Sequence, residues 1–121
     1  MKSILIVTIL LMLGACTTVK PGPEVTEQAE RAIVAATDAG GGEFAPVEMR
    51  YAREKLASAK TSIEKQKYEV TLYLIEESEI NSELAIEKSR AAKVRREASE
   101  LRKSNEVLQA KLRDTFGEDF E

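Results

Sequence analysis

Two patterns of apolar residues run along the chain. Residues 4–13 form an unbroken block, aliphatic or Met except for Thr8. After Pro46 the apolar positions instead alternate at spacings of three and four, and no Gly or Pro interrupts them until Gly117. The first pattern is apolar on every side, whereas the second lays one stripe along a helix. In heptad terms the first positions are Met49, Leu56, Ile63, Val70, Glu77, Leu84, Ala91, Ala98, Asn105 and Leu112. The fourth positions are Ala52, Ala59, Gln66, Tyr73, Ile80, Glu87, Val94, Leu101 and Leu108. Fifteen of these 19 are apolar, so the stripe predicts coiled-coil packing with a left-handed supercoil. Leu84, Ala91, Val94, Ala98, Leu101, Asn105, Leu108 and Leu112 make up the predicted seam. Asn105 is the kind of polar first-position residue that sets register and favours a parallel pair.

Breakers divide the rest. Pro21, Gly22 and Pro23 precede a first helix over residues 23–39, in which Val25, Ala29, Ala32 and Ala36 recur at helical spacing beside Ile33. Gly40-Gly41-Gly42 reads as a helix stop and flexible joint, and Pro46 opens a second helix over residues 46–64. A third helix is predicted over 68–113, followed by an acidic flexible tail, 114–121. In residues 68–75, "YEVTLYLI", six of eight side chains are apolar and surround the helix, which calls for more than one neighbour. A fold-back at Lys65-Gln66-Lys67 would supply them, although the unbroken heptad and the lack of a turn former there suit one continuous helix. The fold class expected is all-α: a helical hairpin or small three-helix bundle with a long C-terminal helix of coiled-coil character.

Composition supports long helices. The chain has no Trp and no His and only three Phe, and its net charge of −3 gives no reason to expect nucleic acid as a partner. Charge comes in blocks. Residues 68–87 hold six Glu and no base, and residues 88–103 hold seven Lys or Arg against two Glu. A parallel pair would set Glu83 against Lys88 and Glu97 against Arg102 but Arg90 against Arg95, while an antiparallel pair would lay acidic blocks beside basic ones. Periodicity leaves both orientations open. Self-association or a helical protein partner is expected.

The block at residues 4–13 follows Lys2 and is ten residues long, against roughly 20 for a membrane span. Leu13, Gly14 and Ala15 then provide a leucine and the small residues a signal peptidase accepts, so residues 1–15 read as a signal peptide. Cys16 is the only cysteine of the chain. Leu13-Gly14-Ala15-Cys16 resembles the lipobox of bacterial lipoproteins. That resemblance implies diacylglyceryl transfer to the Cys16 thiol, cleavage before it, acylation of the new amino group by a chain such as palmitate, and a lipidated tether over residues 16–22. The membrane is then a partner through Cys16. Lipoproteins retained in the inner membrane of many Gram-negative bacteria carry Asp at the second mature position, so Thr17 implies the outer membrane, facing the periplasm.

Catalytic chemistry is not expected. Ser62 and Lys65 match S-x-x-K but lack the K-T-G and S-D-N elements that complete such a site. Glu76, Glu79, Glu83 and Glu87 share a helix side without His or a second Cys, and the three glycines lack the Gly-Lys-Ser/Thr of a phosphate loop. No catalytic residue, metal or cofactor is assigned, and the chain reads as a non-enzyme.

"FAPVEMRYAREKLASAK" and "YEVTLYLIEESEINSELAIEKSRAAK" together resemble a family of bacterial lipoproteins of unknown function. The matching positions are Ala45, Pro46, Glu48, Ala52, Lys55, Leu56, Ala59, Tyr68 and Ala85. The resemblance implies a hairpin, with Gly-Asp or Gly-Asn often in the turn where this chain has Lys65-Gln66-Lys67. Some members continue into an OmpA-like domain that binds peptidoglycan. Residues 1–121 do not include that domain, so peptidoglycan binding is not carried over from the resemblance. Two functions follow as expectations: a structural or adaptor lipoprotein of the envelope, or a periplasmic carrier or chaperone-like binder using an apolar groove around residues 68–75.

Overall fold

A computed structural model describes residues 22–117. The signal-peptide and lipobox positions, including Leu13, Gly14, Ala15 and Cys16, lie outside the described residues, as do residues 118–121. Four helices make up the described chain: α1 (Glu24–Asp38), α2 (Gly41–Phe44), α3 (Pro46–Glu64) and α4 (Tyr68–Phe116). The described residues contain no strand, and no helix among them is long and apolar enough to cross a membrane.

The fold is an α3–α4 hairpin with α1 packed against both of its helices. α1 starts behind Pro23 with Glu24 and Glu27 in its first turn, where negative charge meets the positive end of the helix dipole. It buries Ala29 and Ala36. α3 starts with Pro46 at its first helical position and buries Met49, Ala52, Leu56, Ala59 and Ser62. Ala29, Leu56, Ala59 and Ile75 form one core cluster, flanked by Val25, Ile33 and Leu74. Ala36, Ala45, Met49 and Ala85 form a second, flanked by Ile33 and Ile86. Alanine at so many contacts leaves little side-chain volume between the helices, which favours close approach of their axes.

The triple glycine stops α1, as its reading as a helix stop expects, and leads straight into a further helical turn in place of the open joint expected there. Gly40 takes the left-handed conformation that ends α1, with φ +94°. Gly41 is buried, and a Cβ there would lie 2.7 Å from the Ala36 carbonyl oxygen and 2.8 Å from the Met49 sulfur. Residues 41–44 then form a helical turn instead of a loose connection. At the far end, residues 114–116, read from sequence as flexible tail, continue α4.

The turn at 65–67 explains how the hairpin forms without a glycine. Gln66 has φ +56°, the one non-glycine positive φ among the described residues. Its N–H donates to the Ile63 carbonyl, and the Lys67 N–H donates to the Ser62 carbonyl, both at 3.0 Å. These bonds close the end of α3 in the pattern that usually has glycine at the left-handed position. An L side chain costs roughly 1–2 kcal/mol in that conformation, and glycine loses about 0.5–1 kcal/mol more entropy on folding. Gln66→Gly is therefore expected to stabilise the fold by about 0.5–1 kcal/mol, read as a higher urea midpoint at unchanged slope. A lowered midpoint would mean that the Gln66 side chain contributes something the backbone geometry does not reveal.

Candidate interaction surface

α4 has two faces with the same repeat. Thr71, Ile75, Ser78, Ser82, Ala85 and Ser89 are buried against α1 and α3, spaced alternately by four and three. Their hydroxyls have acceptors within reach. Thr71 Oγ1 donates to the Lys67 carbonyl at 3.0 Å, Ser82 Oγ to Ser78 at 2.9 Å and Ser89 Oγ to Ala85 at 2.7 Å. Ser78 Oγ instead crosses to α3 and donates to the Ala52 carbonyl at 2.8 Å. Among the described residues no buried side-chain nitrogen or oxygen lacks a partner. Burying these hydroxyls therefore avoids the penalty of an unmet donor.

The predicted seam occupies the opposite face. Met49, Ala52, Leu56 and Ala59 of the stripe are buried in α3, but in α4 Val70, Tyr73, Ile80 and Leu84 point outward at 47, 58, 51 and 43% exposure. Ala91, Val94, Ala98, Leu101, Asn105 and Leu108 are exposed in turn, and Leu112 is half-buried. The inward residues stand at the second and sixth places of the heptad whose first and fourth places form this outer stripe. The large residues thus lie opposite the core. The segment 68–75 is divided accordingly: Thr71 and Ile75 are inside, Leu74 is half-buried, and Val70, Leu72 and Tyr73 are outside. The segment has the two neighbours expected of it, α1 and α3, but both lie on one side of α4, so Val70, Leu72 and Tyr73 are left outside.

Contact of α4 with α1, α2 and α3 fades near Arg96, whose guanidinium meets Glu43 of α2 at 3.7 Å. The last twenty residues of α4, about 30 Å of helix, extend past the bundle. Ion pairs hold the bundle's edges: Lys60 to Glu30 at 2.6 Å, Lys55 to Glu77 at 3.3 Å, and Lys88 to Glu48. Such partly exposed pairs contribute at most about 1 kcal/mol each. The hydrogen bond from Lys88 holds the Glu48 carboxyl below its ordinary pKa. Glu79 is pushed up, first by desolvation and then by the charges of Glu83 and Glu76.

Concave features are shallow. A depression of about 450 Å³ between α1 and α3 is lined by Ile33, Val34, Leu56 and Ala57, with Glu30, Lys60 and Arg53 at its rim. A smaller one of about 310 Å³ touches the 68–75 segment at Val70 and Leu74, and is otherwise lined by Ser, Thr and Lys. Among the described residues no three His, Cys, Asp or Glu side chains converge to hold a metal ion. The feature that sequence reasoning missed is the inward row of small and hydroxylated residues on α4. Its signal was the four-and-three spacing of Thr71, Ser78, Ser82, Ala85 and Ser89 around Ile75, hidden by larger neighbours of the same period.

No curated protein and no solved structure matches the chain. A family model does match, over residues 25–101, which spans α1, α2, α3 and α4 as far as Leu101. The chain belongs to the family described as a domain of unknown function (DUF4398).

Proposed function

We propose that this is a lipid-anchored lipoprotein of the outer membrane, facing the periplasm, with a structural or adaptor role in the cell envelope. The observation that carries it is the order of signals at the start of the chain. Lys2, ten residues of which nine are aliphatic or Met, and Leu13-Gly14-Ala15 are followed by the chain's one cysteine. Acylation explains why this cysteine has no second to pair with, since a lone thiol is unusual in an oxidising compartment. Buried methylenes contribute about 0.8 kcal/mol each, so two or three acyl chains hold a protein to a bilayer firmly. The structural role is supported by a helix that outruns its own bundle and presents an apolar stripe.

Metabolic labelling with a clickable palmitate analogue tests the anchor. Wild-type protein is expected to take up the label and to fractionate with outer membrane, while Cys16→Ser takes up none and accumulates as uncut precursor. Soluble wild-type protein with a free Cys16 thiol would end the proposal.

A further inference from the structure

We infer that the outer stripe of α4 is covered by a second copy of this chain, the two α4 helices forming an antiparallel two-stranded coiled coil in which residues 70–101 of each copy overlap. The proposal builds on the structural role above and names its partner. The stripe lies away from the face buried by α1 and α3 and borders α3 where Lys55 pairs with Glu77 at 3.3 Å and reaches over the Tyr73 ring, so a second helix can dock along it with that pair at its edge and without displacing the bundle. The overlap is about 48 Å long. It also gives a neighbour to the first turns of the helix beyond Arg96, and an unsupported helix of that length is marginal in water.

Charge and size select the orientation. Side by side in parallel, the two copies would bring Glu77 against Glu77 and Glu87 against Glu87 within the seam, and acidic block against acidic block. Antiparallel, the block with six Glu and no base faces the block with seven Lys or Arg. Glu77 then meets Val94 of the second copy between its Lys93 and Arg95, and Glu83 lies across from Arg90. Glu87, whose carboxylate takes the Arg90 guanidinium of its own chain at 2.5 Å, lies along Leu84 with its charge at the edge.

The side chains agree. In this alignment Val70 packs on Leu101, Tyr73 on Ala98 and Ile80 on Ala91, so large residues meet smaller ones and the layers fill. The parallel alternative would stack Ala91 and Ala98 on themselves, leaving gaps, while Tyr73 and Ile80 crowd their own copies. Asn105 lies outside the overlap, so its polar amide does not need a buried partner.

The test uses the full-length chain carrying Cys16→Ser, in mild detergent, so that neither the anchor nor its absence decides the result. Sedimentation is expected to show a dimer whose dissociation constant rises at least about tenfold from low to high salt, as screening of opposed charges requires. Leu101→Asp is expected to weaken the dimer at least tenfold and to leave the thermal transition of the bundle in place, because Leu101 lies past the last contact with α2. A nitroxide at Lys103→Cys reports orientation: 35 residues of helix separate this site from its copy, or about 50 Å, against roughly 20 Å or less in a parallel pair. A monomer at all concentrations, a larger assembly, or a short Lys103 distance would each overturn the proposal.

Discussion

Met49→Ala is expected to lower stability by about 2–5 kcal/mol, the cost of deleting a large buried side chain and leaving a cavity. Met49 is 1% exposed and is the largest of the fully buried side chains among the described residues. Its contacts are Ala36, Ala45 and Ala85, with Ile33 and Ile86 alongside. Alanines cannot reach into the space it leaves, so the site collapses poorly. In a domain of this size each kcal/mol is worth about 4–8 °C, and the thermal midpoint should fall by about eight degrees or more. Val107→Ala, on the exposed tail, is the control and should stay within about 0.5 kcal/mol. Equal midpoints for the two variants would mean that the α2–α3 corner is not packed as described.

The helical architecture is legible because breakers and long-range periodicity act locally. Pro46 and the glycines bracket α3 and α4, and α3 places its first- and fourth-position residues Met49, Ala52, Leu56 and Ala59 inward as the stripe predicts. Phase is lost at the turn. Along α4 the hydrophobic pattern follows Val70, Tyr73, Ile80 and Leu84, yet all four face out. The bundle selects residues for size as well as for hydrophobicity. Ala29, Ala36, Ala52 and Ala59 bring α1 and α3 close, and the fully buried α4 residues opposite them are Thr, Ser and Ala with Ile75, while Leu74 and Ile86 pack from the edges. Because Ser and Thr satisfy their hydroxyls on nearby carbonyls, such a face is dry without being apolar.

The place of the turn was legible from the apolar run at 68–75, but its geometry was not, and the site was hidden for a different reason. Gln66 occupies a left-handed position that composition assigns to glycine, and the closing bonds come from the backbone, which leaves no side-chain signature. The seam residues were legible as a stripe, from Leu84 through Leu112. Which surface they face could not be read, since both faces of α4 share one heptad. A stripe of this period announces a partner helix; it does not say whether the partner belongs to the same chain. In α3 it does, through the fold-back, whereas the described structure leaves the α4 stripe uncovered.

Ser82 separates the need for a small residue from the need for a polar one. It is fully buried, and its hydroxyl bonds only to the Ser78 carbonyl one turn earlier in the same helix. Ser82→Ala removes that bond but leaves no buried donor unmet, and alanine is the better helix former by about 0.5 kcal/mol. Its stability should match or slightly exceed that of the wild type. Ser82→Leu, which a hydrophobic pattern alone would favour, must force α4 away from its neighbours and is expected to cost about 1–3 kcal/mol or more. Leucine is also a strong helix former, so loss of helix propensity cannot account for the difference. Chemical denaturation of both variants decides the matter. A Ser82→Leu chain as stable as wild type would show room between the helices that close packing denies, and a Ser82→Ala chain weakened by 2 kcal/mol or more would assign the hydroxyl, not its size, to holding them together.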